Sequence, residues 1–173
     1  MTLTATNPAP ASTANLPMAE TAAQGYEYLA FKIGNEEYGV DILRVQEIRS
    51  YEKPTGLANM PESLKGVINL RGVIVPIIDM RIKFRQEQAL YNELTVVIVL
   101  NVGNRIVGAV VDSVSDVVTL EPHHLKPAPA FGNGFQPGHI TALGSIDDRM
   151  LILLNMDQLL EGEEALRSYA LTH

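Results

Sequence analysis

The chain alternates between apolar, β-branched runs and short breaks that contain glycine, asparagine or aspartate. The clearest case is the pair of runs 67–70 and 73–78, which flank the dipeptide Arg71-Gly72. Two such runs around a glycine-containing break of two residues predict a β-hairpin. Because a guanidinium is not buried without a partner, we expect Arg71 to reach solvent, a carboxylate of the same chain or a partner's surface. On spacing alone, an ordinary turn arginine is the simpler interpretation.

The same pattern predicts further strands along the chain. Three hairpins are predicted around Gly34-Asn35 (28–33 with 37–42), Gly103-Asn104 (95–100 with 106–111) and Asp147-Asp148 (140–146 with 150–154), and 112–120 alternates as a single strand. In 42–48 the apolar residues fall at helical or extended spacing with equal ease, so both interpretations stay open.

Other segments predict helices, connectors and loops. Residues 59–66 indicate one short helical turn, since a proline comes early and Gly66 closes the segment. Residues 80–92 read as a connector, and 123–138, with three prolines and three glycines, as a loop. Asn155 or Asp157 is placed to cap a C-terminal helix that runs through Leu159 and Leu160 or restarts after Gly162.

Parts of the pattern recur, which indicates an internal repeat. Gly34-Asn35 and Gly39 are followed, 69 residues later, by Gly103-Asn104 and Gly108, with three branched aliphatic residues and an acid in the same register. The run 75–80 also matches 151–156. Two halves with four or five short strands each predict two small β-barrels, which would pack together because one half alone would be marginally stable. The seam between them is a natural place for a binding groove.

These patterns define the expected domain organisation. Residues 1–24 are dominated by alanine, threonine and proline and predict a disordered tail. We expect one domain over 25–160, with repeats of roughly 26–92 and 93–160 and with strand exchange between the barrels left open. Residues 161–173 are expected to form a C-terminal helix or tail.

Composition then excludes several classes of function. Thirteen lysines and arginines against twenty acids give a net charge of −7, which disfavours nucleic acid and anionic membranes as partners. The chain contains no cysteine, so disulfides and thiolate metal sites are excluded. No apolar run approaches the length that spans a bilayer, and the N-terminus lacks a secretion signal. We therefore expect a soluble, cytoplasmic protein.

No residue pattern predicts catalysis, a cofactor or a metal. The serines lack an elbow-type glycine setting, and Gly132-Asn133-Gly134 is not followed by a helix signal. His123-His124 is the one histidine cluster, and we expect adjacent histidines to point in different directions, so that Glu121 or His139 does not complete a metal site. A chain rich in apolar strands with so little chemistry suits a binding or scaffolding protein.

The motifs resemble those of the CheW family of chemotaxis coupling proteins, from about residue 26 to residue 160. The resemblance is carried by residues 37–42 (EYGVDI), 45–48 (VQEI), 65–79 (KGVINLRGVIVPIID), 112–117 (DSVSDV) and 148–153 (DRMLIL). It implies a mainly β fold of two five-stranded SH3-like barrels related by a pseudo-twofold axis, with short helices. It also implies an adaptor without enzymatic activity or cofactor.

The resemblance further implies partners and site residues. The partners would be the regulatory domain of the histidine kinase CheA and the cytoplasmic tips of methyl-accepting chemoreceptors, so that a cytoplasmic protein is recruited to membrane-associated receptor arrays. The residues that match receptor- or kinase-binding positions of the family are Val45, Glu47, Gly66, Arg71, Gly72, Gly108, Val114 and Val117. In this setting Arg71 would pair with Glu47 or with a partner's carboxylate. The three glycines have a competing explanation in backbone geometry.

Other functions remain as alternatives. Within the family, the chain could be a free-standing relative of the CheA regulatory domain that binds kinase but not receptor; a coupling protein with a receiver domain is disfavoured by the length of the chain. From a different class, the alternative is a small β-barrel enzyme or ligand-binding protein that uses the His123 loop. A nucleic-acid-binding barrel would need a basic face that this composition scarcely allows.

Overall fold

The computed structural model of the chain describes residues 26–84, 90–128 and 138–161 and shows a mainly β protein with a few short helices. The strands are β1 (Tyr26–Ile33), β2 (Glu36–Asp41), β3 (Val45–Ser50), β4 (Leu64–Leu70), β5 (Val73–Asp79), β6 (Val96–Val102), β7 (Arg105–Val111), β8 (Ser113–Leu120), β9 (Leu125–Lys126), β10 (Ile140–Ile146) and β11 (Arg149–Leu154). The α-helices are α1 (Met80–Lys83) and α2 (Met156–Glu161), and Ile42–Arg44 and Pro122–His124 form 3₁₀ turns. The predicted tail over 1–24 and nearly all of 161–173 lie outside the described residues.

The strands form two sheets, and each sheet takes strands from both halves of the chain. Sheet I has the order β8-β1-β2-β11-β10-β9, and sheet II has the order β3-β6-β7-β5-β4. Hairpin β1–β2 of the first half therefore joins strands of the second, and hairpin β6–β7 of the second half joins strands of the first. The question of strand exchange between the halves is answered by this reciprocal swap.

The register of the two sheets is consistent with the predicted internal repeat. In sheet II, β5 runs parallel to β7 with Ile77 opposite Gly108; in sheet I, β11 runs parallel to β2 with Leu153 opposite Gly39. The glycine allows close approach at both places, since a Cβ on Gly108 would lie 2.6 Å from Ile77 Cδ1 and one on Gly39 would lie 2.8 Å from Leu153 Cδ2. The two sheets thus have equivalent strand orders and equivalent parallel pairings.

Backbone pairing also links the two ends of each sheet. Thr55, which follows β3, exchanges two hydrogen bonds of 2.9 Å with Val67 of β4. In sheet I the chain that follows β8 returns as β9 and pairs with β10. Both arrangements are consistent with the predicted barrels. Sheet I has six strands rather than the predicted five because β9 forms within the segment 123–138, which the sequence predicts as a loop.

The core has three parts, which explains why the central strands read as continuous apolar runs. Val75 and Ile77 belong to a cluster within sheet II, whereas Ile78 and Met80 belong to a larger core that both sheets share. Leu151 and Leu153 face a third cluster within sheet I. A central strand is therefore buried on both faces, so polar residues do not alternate along it.

The structure corrects the prediction for 59–66 and decides the open one for 42–48. No helix forms over 59–66: Leu64 N donates to Pro61 O at 3.1 Å in a turn, and β4 begins at Leu64. The segment 42–48 is a 3₁₀ turn followed by the extended strand β3. The predicted connector 80–92 begins with α1, where the Asp79 side chain accepts a hydrogen bond from Arg81 N.

Asn155 caps the C-terminal helix, as one of the two sequence interpretations predicts. Its side chain accepts a hydrogen bond from Gln158 N at 3.1 Å, and Leu159 and Leu160 are buried in the shared core. Among the described residues, no helix has the length and apolar character needed to cross a membrane.

Candidate functional site

The tip of hairpin β4–β5 holds Arg71 in a defined position. Arg71 and Gly72 both have positive φ, 51° and 90°, and Gly72 N donates to Asn69 Oδ1 at 2.7 Å. The side chain of Arg71 remains 65% exposed, and its Nη2 donates to Glu47 Oε2 on β3. Of the acceptors that the sequence left open, the structure shows Glu47 of the same chain.

Glu47 lies on an edge strand at a β-bulge. Val45 pairs with Leu100 and Glu47 with the adjacent Val99, so Gln46 is an extra residue at this point of β3. Arg71 lowers the pKa of the Glu47 carboxyl through its hydrogen bond, and Arg49 Nη1, at 3.3 Å, contributes in the same direction. The ion pair therefore joins the hairpin tip to a point where β3 departs from regular pairing.

The predicted valines occupy two different environments. Val45 on β3 and Val114 on β8 are half-buried and pack against the margin of the shared core. Val117 is 49% exposed, and its counterpart in the repeat, Ile48, is 44% exposed. Both exposed residues lie on edge strands, β8 and β3, which carry unpaired backbone groups on their outer side. Val117 and Ile48 can therefore contact a partner directly, whereas Val45 and Val114 offer only part of their surface.

Two of the predicted glycines are buried. A Cβ at Gly66 would lie 2.0 Å from the Thr55 carbonyl oxygen, and its φ of 138° favours glycine. Gly108 faces Ile77, as described above. Gly72, by contrast, is exposed, and a Cβ added there would meet no other atom within 4 Å. The surroundings of Gly66 and Gly108 thus support the explanation by backbone geometry.

A second set of ion pairs, which sequence reasoning missed, joins strands β2, β8 and β11. Arg149, the first residue of β11, donates to both oxygens of Glu37 at 3.1 and 2.7 Å and to both oxygens of Asp116 at 3.1 and 2.8 Å. We name this group the Arg149 triad. Hydrogen bonds from Arg149 lower the pKa of both carboxyls, and the two carboxylates raise the pKa of Arg149. Only the repeat could have indicated it, because Asp116 is the counterpart of Glu47.

A third charged network centres on the buried residues Arg81 and Asp79 and was also missed. Arg81 is 1% exposed and binds both oxygens of Asp79, at 3.0 and 2.9 Å, and Asp112 Oδ1 at 3.1 Å. Its guanidinium lies 4.6 Å from the ring centroid of Tyr91, whose hydroxyl donates to Asp79 at 2.7 Å. Burial alone would raise the pKa of Asp79, but the hydrogen bonds from Arg81 and Tyr91 outweigh burial and lower it.

The expectation that His123 and His124 point in different directions is wrong. Their ring centroids are 4.0 Å apart, and together with Glu121 they bring potential ligand atoms within 4.8 Å of one another. His124 Nδ1, however, accepts a hydrogen bond from Glu121 N at 2.9 Å. The neutral ring then carries its proton on Nε2, so a metal could bind His124 only if this bond were broken. The cluster is explained by the local turn.

These features define a mainly β protein of two sheets, whose candidate site is an exposed surface of edge strands and hairpin tips. A CheW-like domain family model matches residues 27–164, and the chain belongs to this family, as the motifs suggested. The chain is 56% identical over 140 residues to the chemotaxis protein CheW of Klebsiella aerogenes, covering 81% of this chain and 84% of the relative. It is 34% identical over 140 residues to the chemotaxis protein CheW of Rhizobium meliloti, covering 81% and 90%.

A solved structure supports the same assignment. The scaffolding protein TtCheW from Thermoanaerobacter tengcongensis superposes with a TM-score of 0.73 at 26% identity, covering 79% of this chain and 93% of the other. The predicted mainly β fold is thereby confirmed.

Proposed function

We propose that this protein is a chemotaxis adaptor that couples the histidine kinase CheA to the cytoplasmic tips of methyl-accepting chemoreceptors by binding both. Its membership of the CheW-like family supports the adaptor role. The structural observation that carries the proposal is Arg71: an exposed cation, fixed at a hairpin tip by Glu47 and placed beside an edge strand that exposes Ile48.

This arrangement suits protein recognition better than catalysis. A cation that is already oriented loses little side-chain freedom on binding, so more of the interaction energy appears as affinity. Apolar residues on an edge strand can contact a second barrel or the apolar stripe of a helix. The protein would have no enzymatic activity and no cofactor, and it would work in the cytoplasm at the receptor arrays.

Coupling would follow from simultaneous binding. One barrel would contact the regulatory domain of the kinase, barrel against barrel, while the margin of the shared core near Val45 accepts a receptor helix. A change in receptor state shifts the kinase only if the contacts made in the two states differ in free energy. An adaptor supplies such contacts without any chemistry of its own.

Binding isotherms with a CheA regulatory domain and with a receptor-tip fragment test the proposal. We expect the wild-type protein to bind both and Arg71→Ala to fold normally but bind at least one partner more weakly, because losing the arginine leaves its counter-charges unpaired. Arg105→Ala is the matched control: Arg105 is a half-buried arginine at another hairpin, and it makes no ion pair within the described residues. Binding of the kinase domain alone would indicate a regulatory-domain relative, and binding of neither would refute the adaptor function.

A further inference from the structure

The two edge strands β3 and β8 carry the same arrangement at equivalent positions: a bulge followed by a carboxylate that an arginine binds. On β3 a bulge at Gln46 is followed by Glu47, which Arg71 binds. On β8 the register shifts between Asp116 and Val114, so Ser115 is the extra residue, and Asp116 is bound by Arg149. Arg71 lies in the turn of hairpin β4–β5, whereas Arg149 is the first strand residue after the turn of hairpin β10–β11. Each hairpin belongs to the same sheet as the bulged strand that its arginine contacts.

The two arrangements differ in how many guanidinium donors of the arginine form bonds within the molecule. Arg71 bonds through one nitrogen to one carboxylate within the described residues and is 65% exposed. Arg149 engages Nε, Nη1 and Nη2 in two bidentate pairs, and its side chain is 32% exposed. Bidentate pairs fix geometry as well as charge. Arg71 therefore keeps donors for a partner, whereas Arg149 uses its donors inside the molecule.

The triad controls a residue that faces outward. Asp116 lies between the bulge and Val117, and among the described strands β8 pairs with β1 alone. A bulge leaves its extra residue without a ladder partner, bends the strand and changes the direction of the neighbouring side chains. Arg149 holds Asp116 against Glu37 of β2, so it fixes the direction in which Val117 and the outer edge of β8 face.

We infer that Arg149 is a positioning residue for partner binding: it contacts no partner and acts through Asp116 by setting the bulge of β8. This inference rests on the proposed function, since it concerns the same partner-binding surface. Neither the turn Asp147-Asp148 nor the spacing of the strands in the sequence indicates this role of Arg149.

A double-mutant cycle between Arg149 and Val117 tests the inference. Binding isotherms with the CheA regulatory domain and with the receptor-tip fragment first identify the partner that Val117→Ala binds more weakly than the wild-type protein does. We expect Arg149→Met to fold cooperatively and to bind the same partner with about tenfold lower affinity. This loss is within the range known for residues coupled through one network. We also expect Val117→Ala to have a much smaller effect in the Arg149→Met background. Arg105→Met controls for the loss of one positive charge.

Asp116→Asn is the second variant, because it keeps the Arg149–Glu37 pair and so protects the fold. It should reproduce the loss of affinity and the non-additivity, and hydrogen exchange of the β8 amides should accelerate in both variants. If Arg149→Met fails to fold, the affinity of Asp116→Asn and its non-additivity with Val117→Ala test the inference on their own. Affinities within about twofold of wild type, or effects that simply add to that of Val117→Ala, would overturn the inference while leaving the adaptor function intact. Binding of neither partner by the wild-type protein would overturn both.

Discussion

The buried network around Arg81 yields a prediction with a large expected magnitude. Arg81→Met keeps most of the volume of the side chain but removes the guanidinium that pairs with Asp79. The carboxylate of Asp79 is fully buried and, among the described residues, would retain the Tyr91 hydroxyl and the backbone N–H of residue 81 as its hydrogen-bond donors. Removing one member of a buried ion pair typically costs about 3–5 kcal/mol, because the other charge stays buried without compensation.

That cost is a large fraction of the stability of a domain, which is typically about 5–15 kcal/mol. For a chain of this size it corresponds to a fall in Tm of about 6–20 °C. The measurement is urea and thermal unfolding at about pH 7 followed by circular dichroism, with Arg71→Met as the control. Arg71 has an exposed ion pair, so its removal should leave Tm almost unchanged.

A second variant distinguishes the loss of pairing from a loss of packing. Asp79→Leu combined with Arg81→Met removes both charges, so it should be clearly less destabilising than the sum of the two single variants. A loss below about 1 kcal/mol for Arg81→Met, or strict additivity in the double variant, would contradict the uncompensated-charge explanation.

Three further predictions concern the symmetry, the acid response and the C-terminal cap. Gly108→Ala and Gly39→Ala should each destabilise the protein by about 1–3 kcal/mol in urea unfolding, because the added methyl overlaps Ile77 or Leu153; a neutral result for both would contradict the close packing at the strand crossings. The pKa values of Glu37 and Asp116 are lowered from 4.5 and 3.8, so their stabilising effect is present above those values and is lost as pH falls through the lower folded-state values. The stability of the wild-type protein should therefore decrease on acidification below about pH 4.5, and the stability of Arg149→Met should decrease less steeply. Equal slopes of stability against pH in the two proteins would exclude the Arg149 triad as the cause. Asn155→Ala should cost about 1 kcal/mol through loss of the cap on α2, measured by thermal unfolding against Gln158→Ala, which keeps the backbone donor of the cap.

The hairpins could be predicted from the sequence because local rules govern them. A two-residue break such as Arg71-Gly72 needs positive φ, and the flanking β-branched runs need only to alternate or to be buried. The spacing was ambiguous at β3 for a physical reason. Along Val45–Ser50 the more buried positions after Val45 hold Glu47 and Arg49, and Ile48 faces outward, so burial alternates while hydrophobicity does not.

The ion-pair networks could not be predicted as networks, because each also joins residues that are distant in the chain. Arg149 and Glu37 are 112 positions apart, and Arg81 and Asp112 are 31 apart. The predicted pair of Arg71 and Glu47 came from the family resemblance rather than from spacing. The error at 59–66 has a similar origin: Pro61 and Gly66 signal a helix locally, but the contact between Gly66 and the Thr55 carbonyl is set by the pairing of two separate segments.

The swapped hairpins have a consequence for synthesis on the ribosome. Strands β1 and β2 are made early, yet the strands that flank them, β8 and β11, lie in the second half of the described chain. At about 5–20 residues per second, the first hairpin waits on the order of ten seconds for these neighbours. Neither sheet can be completed before most of the chain has emerged, so folding is a late event. The nascent hairpin must stay accessible until then, with its apolar faces uncovered.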